Sequence, residues 1–549
     1  MATVLATPGR NINRGHFPHD FIFGAGTSSY QVEGATREGG RGLSIWDTFT
    51  HTHPDIVHDG STGDMAVNSY HLYKKDVKIL KLMGLDAYRF SISWPRILPG
   101  GTINAGINEE GINYYNNLID ELLANDIEPY VTLFHWDVPQ TLQDQYDGFL
   151  SENIVDDFRD FVELCFWEFG DRVKNWITLN EPRSFCDFCG VVYHTPPCGK
   201  SDEVEAQPKH MLEEVFIQVL AGVHPVPARV ARPSRPVRLI ARSVSEDQRY
   251  QVAHNLLRAH AAAVQVYRDK FQKTQDGKLG ISLAAPWMEP LNANNSADVE
   301  AASRAFDFLF GWYMEPLITG DYPKSMRQLL GSRLPQFTPE QSKQLIGSFD
   351  FVGVNYYTST YVSSAPPPDD KTAVLNEDAK YYTTDLKDNV PIGPKAGPYW
   401  LRIFPEGIYR SLQEIKAKYN DPVIYITENG VYEQNDKNLT LSEARVDTTR
   451  IHYLQDHLSN VLQAMHQGVR VQGYFVWSLM DNWELIAGYT SRFGLIYINR
   501  NDNFARYPKE SAIWFRNAFH KRLRTQQNNK RLQEDGEECV DASRKRLRR

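Results

Sequence analysis

Eight short apolar runs recur along the chain, each followed by a stretch with helical spacing. The runs are Phe21–Gly26, Ala87–Trp94, Pro129–His135, Trp176–Asn180, Gly280–Ala284, Phe351–Asn355, Val423–Thr427 and Val471–Trp477. Their length is that of strands, and their near-continuous apolar character suits strands buried on both faces of a parallel sheet. The intervening stretches are amphipathic. Gly111–Ala124 places Tyr114, Tyr115, Leu118, Ile119, Leu122 and Leu123 at helical spacing, and Gln251–Phe271 reads the same way. Strand–helix alternation eight times over predicts the α/β class. The specific expectation is a single (β/α)8 barrel with long loops at the C-terminal face of the strands. A doubly wound sheet is the rival, but it calls for a glycine-rich phosphate loop after the first strand. Here that strand leads into Ser28-Ser29-Tyr30-Gln31-Val32-Glu33-Gly34.

The alternation sets the domain boundaries. Residues 1–16 read as an N-terminal extension, 17–520 as the barrel domain and 521–549 as a polar, basic tail expected to be disordered. The stretch Gly199–Arg249 interrupts the pattern with interleaved proline and arginine and predicts a long irregular loop. Two readings of it stay open: a loop shaping the pocket on the catalytic side, or a solvated insertion.

Composition excludes more than it identifies. A net charge of −9 argues against a nucleic-acid partner. No apolar run is long enough to span a membrane. Met1–Arg14 lacks the apolar core of a signal peptide, so secretion is not expected. Cys186-x-x-Cys189 lacks a second ligand pair at zinc-site spacing, so no metal is expected and the thiols are read as reduced.

The chemistry sits at the strand ends, where barrels place their active sites. The fourth run continues into Asn180-Glu181-Pro182 and the seventh into Thr427-Glu428-Asn429-Gly430. If both strands share one barrel, Glu181 and Glu428 face each other across its mouth. Two opposed carboxylates are the equipment of a glycosidase. Arg89 lies within an apolar run, where its charge needs a partner, and Glu428 is the obvious one. Gln31 carries both donors and an acceptor suited to vicinal hydroxyls. His135 ends the third run, followed by Trp136; Asn355 and Tyr357 end the sixth; Trp477 ends the eighth, ahead of Glu484.

The motifs Thr178-Leu179-Asn180-Glu181-Pro182 and Ile426-Thr427-Glu428-Asn429-Gly430 resemble the acid/base and nucleophile motifs of family 1 glycoside hydrolases. The likeness runs from Phe17 to Phe519. Its details resemble plant alkaloid β-glucosidases of the ipecac, strictosidine and raucaffricine types. The ipecac type is nearest, through Thr7–Arg14 and Asp481-Asn482-Trp483-Glu484-Leu485.

The resemblance implies a retaining β-glucosidase with Glu428 as nucleophile and Glu181 as acid/base, their carboxyl groups about 5–5.5 Å apart. It implies glucose contacts from Gln31, His135, Asn180, Tyr357, Trp477 and Glu484, and support of the nucleophile by Arg89 and Asn355. Trp136, Arg183, Phe185, Trp400 and Phe493 are expected in the aglycone pocket, with Ser184 beside them. Relatives that cleave thioglucosides carry glutamine at the acid position, so Glu181 points to O-glucosides. Leu485 replaces the usual tryptophan and removes an indole donor. No cofactor is implied. The implied substrate is a terpenoid-isoquinoline or terpenoid-indole alkaloid glucoside. Hydrolysis of phenolic or defence glucosides, and transglucosylation, stay open as alternatives, as does a homo-oligomer. The basic run Arg544–Arg549 matches a nuclear address, so the expected location is the nucleus, otherwise the cytoplasm.

Overall fold

The computed structural model describes residues 12–191, 248–367, 370, 373–397 and 401–521. The eight apolar runs form strands β1 (Ile22–Gly26), β2 (Ala87–Ser91), β3 (Glu128–Phe134), β4 (Asn175–Asn180), β5 (Lys278–Ala284), β6 (Phe351–Tyr356), β7 (Ile424–Asn429) and β8 (Val471–Trp477). They close in sequential order into one parallel barrel, with β1 bonded to both β8 and β2. The helices that follow them are α1 (Ser69–Met83), α2 (Glu109–Ala124), α3 (Asn153–Phe169), α4 (Gln248–Lys270), α5 (Ser296–Phe306), α6 (Pro405–Lys418), α7 (Thr448–His466) and α8 (Glu510–Phe519). The fold is therefore the expected (β/α)8 barrel. No described helix is long and apolar enough to cross a membrane.

Strand ends differ from the apolar runs for local reasons. β2 stops at Ser91 because Trp94–Ile97 already turns as a helix with Pro95 in its first turn. β7 continues through Glu428 and Asn429, because polar side chains can extend a strand when they have partners at the barrel mouth. A small sheet built from Trp287–Pro290, Ser359–Ser363, Val374–Asn376 and Tyr381–Thr384 lies among the loops after β5 and β6. Its short strands carry no long apolar run, and the alternation gave no sign of it.

Aromatic clusters inside and outside the strands hold the barrel together beneath its mouth. Inside, Ala87, Tyr130, Ile177, Phe351, Tyr425 and Phe475 form a packed plug, with the Tyr130 and Phe475 rings 4.8 Å apart. Outside the strands, Phe17, Phe21 and Phe23 pack ring against ring with Phe519 of α8. Arg14 is buried there, donating to the Phe519 carbonyl oxygen and pairing with Asp86.

The pairing loses its regular register at the top. β7 shifts against β6 between Ile426 and Glu428, and β4 shifts against β5 between Ile177 and Asn180. Such irregularities re-aim the side chains beyond them. Both lie directly before the two carboxylates of interest.

Candidate active site

The strand ends converge on a solvent-open cavity of about 930 Å³. Glu428 is the penultimate residue of β7 and is 4% exposed. Its Oε1 accepts from Arg89 Nη1 at 2.6 Å, and its Oε2 from the Tyr357 hydroxyl at 2.6 Å. Arg89 is fully buried on β2 and also donates to the Thr427 carbonyl and the Thr132 hydroxyl. The arginine in an apolar strand thus has the expected carboxylate partner. Gly430 follows because a side chain there would collide with the Trp477 carbonyl oxygen.

Glu181 lies just past β4 with φ +41°. Asn355 Nδ2 donates to its Oε1 at 2.8 Å and Ser184 Oγ to its Oε2 at 2.8 Å. Burial pushes its pKa up to about 7, and the neighbouring Glu428 charge adds to the rise. The two carboxyls therefore differ in setting: one meets a guanidinium, the other only neutral donors. A chain of contacts joins them. Asn180 Oδ1 accepts from Arg89 Nη2 at 2.6 Å and from Asn355 Nδ2 at 3.1 Å. The donor-only Arg89 fixes the Asn180 oxygen, and that oxygen fixes the Asn355 amide with its nitrogen toward Glu181, leaving Asn355 Oδ1 to accept from Thr427 at 2.6 Å.

The polar wall around them suits a polyol. His135 follows β3, and its ring lies nearly parallel to Trp477 at 5.9 Å. Burial, with Arg89 nearby, holds its pKa well below the ordinary value, so the ring is neutral. Gln31 Nε2 donates to Asn482 Oδ1 at 3.0 Å and Glu484 Oε2 at 3.3 Å. Burial raises the Glu484 pKa to about 8. His135 Nδ1 and Glu484 Oε1 are buried with no hydrogen-bond partner among the described residues. Leaving such atoms unpaired costs about 1–3 kcal/mol each, which a ligand's hydroxyls would relieve. Glu181, Trp136 and Leu485 all have positive φ, at +41°, +73° and +50°. Each such residue costs about 1–2 kcal/mol, so three at one mouth mark a site where conformation serves something other than stability.

Most of the expected residues come together. Gln31, His135, Trp136, Asn180, Glu181, Asn355, Tyr357, Glu428, Trp477, Glu484 and Phe493 line the cavity, and Arg89 lies behind it. Two expected aglycone contacts do not line it. Arg183 is turned into a buried ion pair with Asp187 at 2.9 Å, one helical turn on. Phe185 is 1% exposed and packs against Phe134 and Phe149. The helix Pro182–Val191 faces both residues into the protein. Trp400, residues 199–247 of the insertion and the Arg544–Arg549 run lie outside the described residues.

The cavity also has walls the sequence did not announce. Tyr432 packs against Phe493 with the rings tilted at 45° and 5.3 Å apart, and its only sequence signal is an aromatic soon after a strand end. His58 enters from a loop remote from every strand end, tied by its amide to the Ile486 carbonyl at 2.8 Å. Among the described residues no group of three or more His, Cys, Asp or Glu side chains could hold a metal ion.

The family model for glycosyl hydrolase family 1 matches residues 13–523. The chain belongs to glycosyl hydrolase family 1. Within family 1 it is 72% identical to an ipecoside β-D-glucosidase of Carapichea ipecacuanha, covering 100% of this chain and 98% of that protein. It is 54% identical to a raucaffricine-O-β-D-glucosidase of Rauvolfia serpentina, over 100% and 99% of the two chains. The solved structure of a rice β-glucosidase, Os3BGlu6, superposes with a TM-score of 0.80 at 42% identity, covering 92% of this chain and 99% of that one. A mutant of that rice protein has been captured in a covalent complex with glucose.

Proposed function

We propose that this family 1 enzyme is a retaining β-glucosidase that removes glucose from a plant alkaloid glucoside, with Glu428 as nucleophile and Glu181 as acid/base. The observation that carries the chemistry is the contrast between the two carboxyls in one cavity. Glu428 is set by Arg89 and Tyr357, and Glu181 keeps its proton to about neutrality. Glu428 attacks the anomeric carbon while Glu181 protonates the leaving oxygen, giving a glucosyl-enzyme and free aglycone. Glu181, now a carboxylate, takes a proton from water as the water attacks, and glucose leaves with its configuration retained. Trp477 offers a flat wall to the pyranose ring. Asn180, whose oxygen is committed to Arg89 and Asn355, turns its amide nitrogen toward His135 at 3.3 Å and the sugar side.

The alkaloid aglycone rests on full-length identity to the ipecoside and raucaffricine enzymes. A turnover panel tests it. Alkaloid glucosides are expected to exceed phenolic glucosides and cellobiose in kcat/KM. A phenolic glucoside at the head of the panel would overturn the substrate assignment and leave the chemistry in place.

The sugar assignment carries its own expectation. No Lys or Arg lines the cavity among the described residues, and Glu484 would have to share its corner with any phosphate. Glucosides are therefore expected to outperform 6-phosphoglucosides. The reverse order in kcat/KM would remove Glu484 from the sugar site.

Nuclear placement is proposed on the Arg544–Arg549 run alone. A fluorescent protein fused to the N-terminus should enter the nucleus, and deleting the run should release it to the cytoplasm. Cytoplasmic signal with the run intact would reject the proposal.

A further inference from the structure

Glu181 has two oxygens with different partners, and the difference decides where its proton resides. Oε1 faces the Asn355 amide nitrogen at 2.8 Å. That amide cannot turn round, because its nitrogen also donates to Asn180 Oδ1 at 3.1 Å, an oxygen fixed in place by Arg89 Nη2 at 2.6 Å. Asn355 therefore only donates, and Oε1 serves as the acceptor oxygen. The proton falls to Oε2. Its partner is Ser184 Oγ at 2.8 Å, on a residue 3% exposed in the first turn of the helix Pro182–Val191. A hydroxyl can donate or accept, which an amide nitrogen cannot.

We propose that Ser184 is a positioning residue that serves Glu181 in both protonation states. This rests on the acid/base reading of Glu181. Before turnover, the Oε2 proton points at Ser184 Oγ, and the acid is held in the rotamer that faces the cavity. When a glucoside is bound, that proton turns from Ser184 Oγ to the glycosidic oxygen, and it passes there as the C–O bond breaks. Ser184 keeps its own proton throughout and turns it onto the vacated Oε2, which stabilises the carboxylate that must next take a proton from water. The same contact thus accompanies the group through both half-reactions. Asn355 holds only the other oxygen.

Other groups act on Glu181 and must be kept constant. Glu428 faces it from β7, Arg89 from β2 and Tyr357 from the end of β6. His135, beyond β3, stays neutral, and Arg183 and Asp187 on the same helix pair with each other. Of its two bonds, the one Ser184 donates to the carboxylate is charge-assisted and the stronger, so on balance Ser184 favours the ionised form, against burial and Glu428, which favour the protonated one. Removing Ser184 should therefore raise the proton affinity of Glu181.

The test compares Ser184→Ala and Ser184→Thr with the native enzyme and with Glu181→Gln. The readouts are pH profiles of kcat/KM on phenyl and dinitrophenyl β-glucosides. In Ser184→Ala the alkaline limb should move to higher pH, and turnover of the phenyl glucoside should fall about tenfold, the worth of one hydrogen bond to a charged group. The dinitrophenyl glucoside, which needs no proton to leave, should lose less in kcat/KM. Ser184→Thr keeps the hydroxyl and should restore both the limb and the rate. An unmoved limb with equal losses on both substrates would overturn the inference and leave Ser184 as packing. If Ser184→Ala folds poorly, failure of the well-folded Ser184→Thr to keep the native limb overturns it equally. Absence of leaving-group dependence in Glu181→Gln would instead overturn the acid/base reading itself.

Discussion

Glu428→Ala is expected to abolish hydrolysis of every glucoside, with a loss of about five orders of magnitude or more in kcat. No neighbouring group can substitute. Glu181 is another carboxyl in the cavity, and burial with the Glu428 charge keeps it protonated to about neutrality, which leaves it no nucleophile. Glu484 is bonded away toward Gln31. The variant should still bind glucosides, since the sugar contacts lie on other strands. It should also lose stability. Arg89 is fully buried and would keep only neutral acceptors, and removing one partner of a buried ion pair costs about 3–5 kcal/mol. Adding azide provides a decisive check. Azide entering the space left by Glu428 should attack the anomeric carbon from that face and yield the α-glucosyl azide. Turnover by Glu428→Ala that gives β-anomeric glucose as the first product would show that the nucleophile lies elsewhere.

Glu181→Gln should produce a different pattern, set by the leaving group. Phenyl glucosides, which need a proton, should lose about 10²–10⁴-fold, the usual worth of general acid catalysis. Dinitrophenyl glucosides should form the glucosyl-enzyme almost normally and then stall, because no base activates water. Mass spectrometry should detect the accumulated covalent adduct. The pH profile gives the sign. The acid works only when protonated, so native kcat/KM should fall as pH rises through about 7, and the variant should lack that limb. Stability moves the other way. A buried acid whose folded pKa is raised from 4.5 to about 7 weakens the fold as pH climbs between those values, because the unfolded chain releases its proton first. Above that window Glu181→Gln should melt higher than the native enzyme, by up to about 3 kcal/mol of stability. A lower melting temperature at alkaline pH would contradict the pKa assignment.

The barrel was legible because its eight strands are buried on both faces, which forces nearly unbroken apolar runs. The carboxylates were legible because they break those runs at their ends, and Arg89 because it breaks one in the middle. What escaped notice has other causes. The small sheet after β5 and β6 is held by loops, and its residues are as much polar as apolar. His58 reaches the cavity through a backbone bond to Ile486, a contact between segments far apart in the chain that no local pattern encodes. Arg183 and Phe185 were expected at the pocket because they follow the acid directly. Proximity in sequence misled there. The chain turns into a helix at Pro182, and a helix sends successive residues to different sides, so Ser184 meets Glu181 while its two neighbours face inward.

The plug of Tyr130, Phe351, Tyr425 and Phe475 beneath the cavity gives the reaction an order of departure. Among the described residues the barrel has a floor, so both products are expected to leave by the open mouth. In the proposed reaction the aglycone lies at that mouth and is freed first, while the sugar is still covalently held behind it. Glucose follows only after water has entered by the same route. Glucose is thus the last product out of an otherwise empty enzyme and should compete directly with the substrate. An aglycone that lingers at the door shields the glucosyl-enzyme from water.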